Sequence, residues 1–81
     1  MKALIHVTLK PDVLDPQGEA IRKACGTLGY TGVGTVRQGK LFEVELEASS
    51  EKEAHALVSE LCEKLLANPV IEDYRVERIE G

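Results

Sequence analysis

Lys40-Leu-Phe-Glu-Val-Glu-Leu-Glu-Ala48 runs almost directly into Ser50-Glu-Lys-Glu53 and then Ala54 to Leu66, and the change of period between the two stretches decides the fold. In the first, Phe42, Val44, Leu46 and Ala48 alternate with Glu43, Glu45 and Glu47, the period-two pattern of a half-buried strand. In the second, Ala54, Leu57, Val58, Leu61, Cys62, Leu65 and Leu66 recur at three- and four-residue spacing, which predicts an amphipathic helix. Ser50 and Glu53 have the spacing of a capping box, in which each side chain accepts a hydrogen bond from the other's backbone amide. At the far end Asn68 is placed to take a left-handed terminating conformation, and Pro69 bars continuation.

The same reading extends to both sides. Lys2 to Lys10 alternates Ala3, Ile5, Val7 and Leu9 against Leu4, His6, Thr8 and Lys10, and Pro11 ends this first strand because it has no N–H for the ladder. Asp15 caps a first helix that has Pro16 at its first position, an apolar face of Ala20, Ile21, Ala24, Cys25 and Leu28, and a stop at Gly29. Val33 to Arg37 is expected to form a second strand, joined through a Gln38-Gly39 turn to the third, Lys40 to Ala48. Tyr74 to Ile79 is the last strand and shows no clear inward face.

The resulting order, β-α-β-β-α-β, predicts an α+β, ferredoxin-like fold: a four-stranded antiparallel sheet with both helices on one face. The opposite face carries His6, Thr8 and Lys10 beside Glu43, Glu45 and Glu47, with Leu4 and Leu41 nearby. That mixture, together with exposed edges at the second and fourth strands, predicts a homodimer or tetramer.

With 81 residues, the whole chain (1–81) is read as a single domain. A chain of this size buries about 60% of its unfolded surface, leaving little room for an enclosed active site. The net charge of −4, from 14 acidic and 10 scattered basic residues, argues against nucleic acid as a partner, which needs a concentrated positive footprint. No apolar run approaches the ~20 residues of a membrane span and the N-terminus has no signal-like block, so the expected location is the cytoplasm. Cys25 and Cys62 lack metal-like or redox-like spacing and are read as small buried hydrophobes.

Known chemistries of this element order find no support. The positions that would carry stacking aromatics in an RNA-recognition sheet hold His6, Thr8, Glu43 and Glu45. The loop after the first strand has neither the thiol pair of a metal carrier nor an arginine-and-amide anion cradle; it has two aspartates and two prolines. Gly29, Gly32 and Gly34 do not lead from a strand into a helix as a phosphate loop must. Catalytic, cofactor-binding and metal-ligating residues are therefore all read as none. The best guess for an interface is the corner Asn68, Pro69, Val70 and Ile71, with Tyr74 and Arg75 as anchors; the competing readings are coverage of the domain's own core by Val70 and Ile71, and a core Tyr74 beside a surface Arg75.

Two stretches carry a resemblance. Val7-Thr-Leu-Lys-Pro-Asp-Val-Leu-Asp-Pro-Gln-Gly18 and Cys62-Glu-Lys-Leu-Leu-Ala-Asn-Pro-Val-Ile-Glu-Asp-Tyr-Arg-Val-Glu77, with Gly29-Tyr30 and Val36-Arg-Gln-Gly-Lys40 between them, closely resemble the PurS family. The resemblance implies the small subunit of phosphoribosylformylglycinamidine (FGAM) synthase in purine biosynthesis. It implies as partners a large synthetase subunit and a glutaminase subunit, which the small subunit bridges so that ammonia passes between them. It also implies that the ATP, Mg and glutamine of the complex are not bound by this chain. The alternative from another class is a ligand-sensing module of the ACT type, which shares the element order and binds small metabolites between paired subunits.

Overall fold

The structure is a computed structural model describing residues 1–81. It comprises β1 (Lys2–Leu9), α1 (Pro16–Thr27), β2 (Gly39–Glu45), α2 (Glu51–Leu61), a π-helical turn (Cys62–Leu66) and β3 (Glu72–Glu80). The sheet has three strands in the order β2-β1-β3, with both pairings antiparallel. The α+β class holds, but the expected four-stranded ferredoxin-like sheet with both helices on one face does not.

The missing strand has a physical cause. Val33 to Arg37 forms no ladder; its end is tied instead to the loop after β1, through the Arg37 side chain and the amide of the next residue, Gln38. The Arg37 guanidinium donates to the carbonyls of Lys10 (3.0 Å) and Val13 (2.9 Å), and the Gln38 amide donates to the Asp15 carboxylate at 2.6 Å. The expected Gln38-Gly39 hairpin turn is therefore absent. Gly39 instead opens β2 opposite Thr8, where an added Cβ would lie 2.7 Å from the threonine methyl.

The core is built on β1, the central strand. Ala3, Ile5 and Val7 are buried and lie under Val58 of α2 and Cys62 of the π turn, both fully buried; Ala67 completes the cluster. Phe42, Val44 and Leu46 pack against it from the β2 side, and Tyr74, Val76 and Ile79 from β3. The inward face of β3 could not be read as a plain alternation because the register slips: Ile5 pairs with Val76 but Leu4 with Arg78, so Glu77 is the extra residue of a bulge.

The helix ends combine agreement and correction. Asp15 caps α1, Pro16 is its first residue, and Gly29 has φ of 90° just beyond its end. Ser50 caps α2 by accepting from the Glu53 amide at 3.1 Å, while the Glu53 carboxylate reaches the amide and hydroxyl of Ser49 rather than Ser50. Asn68 does not take a left-handed conformation; no residue but Gly29 has positive φ. The chain leaves the helix through the π turn, with the Ala67 amide donating to the Cys62 carbonyl, five residues back, at 3.0 Å. That wider turn rotates the stripe, so Leu66 faces the core and the expected Leu65 is 77% exposed.

The largest departure is α1. Its only buried residue is Gly18, and Ile21 and Leu28 of its predicted apolar face are exposed. Cys25, expected to be buried, is only half-buried. The helix and the irregular segment that returns from it form an arm, and the molecule measures 51 × 26 × 14 Å with a radius of gyration of 16.0 Å. A compact domain of this length has a radius of about 12 Å.

Truncating Ile5 to Ala should cost about 2–5 kcal/mol, because the side chain is fully buried at the sheet centre. Leu65→Ala should cost less than about 0.5 kcal/mol, the usual range for a surface position. Urea unfolding of both variants tests the assignment of the π turn; equal losses would contradict it.

Candidate functional site

Three surfaces remain once the core is assigned. The first is the base of the arm. Asp15 is 5% exposed, and both of its oxygens accept backbone N–H bonds: Oδ1 from Gly18 (3.0 Å) and Oδ2 from Gln38 (2.6 Å). These bonds, above all the one from Gln38, hold its carboxyl below the ordinary carboxylate range, and the Arg37 charge adds to them. Gly18 packs so closely that an added Cβ would lie 2.1 Å from the Val36 carbonyl oxygen. Beyond this base, Leu14, Leu28 and Tyr30 are 74%, 74% and 63% exposed.

The second surface is the corner between the π turn and β3. Its turn is fixed by the Asn68 carboxamide accepting from the Val70 amide (3.0 Å) and by the Asn68 amide donating to Glu72 (2.7 Å). The Lys10 amide donates to the Ile71 carbonyl, which ties the corner to the end of β1. Val70 is 78% exposed and Ile71 40%, so neither closes the core. Asn68, Pro69, Val70 and Ile71 therefore form one exposed corner. Tyr74 and Arg75 do not share a surface: Tyr74 packs against the core with its hydroxyl 3.5 Å from Glu63, while Arg75 lies exposed and pairs with Glu77 on the other sheet face.

That open face is the third surface. Lys2–Glu43 (3.6 Å) and Lys10–Asp73 (3.2 Å) are exposed ion pairs on it, each a weak contributor, and His6 lies 3.9 Å from Glu77. Cys62, buried in the core, has its thiol pushed up by desolvation, which keeps it protonated and unreactive.

Comparison with known proteins decides among the readings of this fold. The family model for PurS, described as phosphoribosylformylglycinamidine (FGAM) synthase, matches residues 2–80. The chain belongs to the PurS family. The PurS subunit of FGAM synthase from Bacillus subtilis is 50% identical over 76 residues, spanning 94% of this chain and 89% of that protein. The crystal structure of PurS from Methanocaldococcus jannaschii superposes with a TM-score of 0.84 at 42% identity, covering 98% of each chain. A chain in the structure of PurLQS from Thermotoga maritima superposes with a TM-score of 0.85 at 32% identity, covering 98% of this chain and 99% of that one.

The PurS-like stretches now acquire a structural sense. Val7 to Gly18 and Val36 to Lys40 supply the two sides of the Asp15 contact, and Cys62 to Glu77 supplies the π turn, the corner and most of β3. Sequence reasoning saw Asp15 only as a helix cap and missed its bond to Gln38. The available signal was the presence of both partners in stretches that carry the family resemblance.

Because its folded pKa is lowered, Asp15 contributes stability that is present at neutral pH. The contribution begins to fade near the unfolded value of about 4 and is lost as pH falls through the lower folded value. The stability gap between the wild type and Asp15→Asn, measured by urea unfolding, should therefore narrow from pH 7 towards pH 3. A gap that stays constant would show that the charge of Asp15 plays no part.

Proposed function

We propose that this chain is the small subunit of FGAM synthase in purine biosynthesis and that it works by contact rather than by turnover. Membership of the PurS family supports this reading over a sensing module, and the superposition on a chain of the Thermotoga maritima PurLQS structure carries it. In this role the chain bridges a large synthetase subunit and a glutaminase subunit, keeping ammonia from escaping between them. ATP, Mg and glutamine are then ligands of those subunits. No helix is long and apolar enough to cross a membrane, and a purine-biosynthetic role is consistent with the cytoplasm.

The arm supports a homo-oligomer, either a dimer or a tetramer. Leu14, Ile21, Leu28, Tyr30 and Val33 are all exposed along one extended segment, and Leu57 and Leu65 are exposed on the helix that covers the sheet. Apolar surface of this extent is costly in water, and a second copy offers the same surface in return. The corner at Asn68 to Ile71 is the surface we assign to a different subunit, since it is rigid, apolar at its tip and remote in sequence from the arm.

Mixing this chain with the synthetase and glutaminase subunits should give glutamine-dependent FGAM formation. Leaving the chain out should abolish that activity while ammonia-dependent synthesis persists; unchanged glutamine-dependent turnover would refute the assignment. In the same assay Val70→Asp should keep wild-type stability, as expected at an exposed position, but lower glutamine-dependent activity by about tenfold or more, the effect of losing about 1.4 kcal/mol of contact. Full activity from Val70→Asp would move the partner contact away from this corner.

A further inference from the structure

Both feet of the arm meet at one place. The outgoing foot leaves β1 through Lys10 to Asp15 and enters α1; the returning foot is Val36 to Gln38, just before β2. The Asp15 carboxylate bonds an amide on each foot, Gly18 on one and Gln38 on the other. The Arg37 guanidinium crosses in the opposite direction, from the returning foot to the Lys10 and Val13 carbonyls on the outgoing one. Between these bonds Gly18 lies directly against the Val36 carbonyl, at a separation that only a missing side chain permits. Four hydrogen bonds and one backbone contact thus close a ring at the root of a helix that has almost no buried face of its own.

Such a helix has no packing to set its direction. A projection held by a single chain crossing would swing, and the ordering cost would fall on whatever binds it. We infer that Asp15, Gly18 and Arg37 form a clasp that fixes the direction of the arm within the single chain, so that a second copy meets a pre-set projection. This rests on the homo-oligomer reading only for what the arm meets; the clasp itself belongs to one chain.

Asp15→Asn is the sharpest probe. A carboxamide of the same shape offers one acceptor oxygen and one NH₂ group, so one of the two backbone amides must face a donor. Arg37→Gln shortens the second link at an exposed position, and the variant should fold. For the full-length wild type, NMR should give α1 backbone order parameters close to those of β1, about 0.85, and slow hydrogen exchange at the Gly18 and Gln38 amides. In Asp15→Asn, exchange at one of those two amides should rise by about tenfold or more while the Ile5 and Val7 amides keep their protection. In Arg37→Gln the α1 order parameters should fall below the β1 values. Wild-type exchange at Gly18 and Gln38 together with unchanged α1 order in Arg37→Gln would overturn the clasp; should Asp15→Asn fail to fold, the Arg37 variant decides alone. Light scattering on the same samples separates the two ideas. A monomeric wild type refutes the homo-oligomer reading, whereas the amide and order measurements still decide the clasp.

Discussion

Everything in this molecule hangs on one contact layer: Val58 of α2 and Cys62 of the π turn lying on Ala3, Ile5 and Val7 of the central strand. Only 9 of 81 residues are buried, so that layer carries most of the apolar driving force available to the fold. β1 is the strand to which both neighbours are bonded, and its inward side chains are the ones the helix covers. Two members of the layer, Ala3 and Cys62, are small and fully buried. Without that layer, the three-stranded sheet would have no apolar cover on its inner face.

What was legible in the sequence follows from locality. The caps at Asp15 and Ser50, the stop at Gly29 and the alternation from Phe42 to Leu46 depend on residues a few positions apart, and each appears in the structure. The missing strand was not legible in the same way. Val33 to Arg37 has strand-forming residues, but its fate is set by Asp15 and by the carbonyls of Lys10 and Val13, more than twenty positions away in sequence. The same holds for the last turn of the second helix. Leu65 and Leu66 both fit the apolar stripe at ordinary helical spacing, and a single wider turn is enough to keep Leu66 on the core and put Leu65 in solvent.

The candidate surfaces divide similarly. The rigid turn and apolar tip of the corner could be seen in Asn68-Pro69-Val70-Ile71, and the structure leaves that tip in solvent. For Tyr74 and Arg75 the sequence leaves two readings side by side, joint anchors or a core tyrosine with a surface arginine. Neighbouring residues of a strand point to opposite faces, and it is the second reading that the structure has. The exposed arm was hidden by the assumption that an apolar helical stripe must lie on its own sheet. Membership of the PurS family places the chain in an enzyme complex, a setting in which a helix with an uncovered apolar face is a usable surface.

The long, thin outline of the single chain also governs how it moves through solvent. Drag on a body of 51 × 14 Å is set chiefly by its longest axis, so one free chain would diffuse and elute like a compact protein of distinctly greater mass. Copies that lay their arms across one another would gain mass while adding little length, and would run closer to their true size. Elution volume and absolute mass therefore carry separate information for this protein, and their ratio reports whether the projecting helix is folded away.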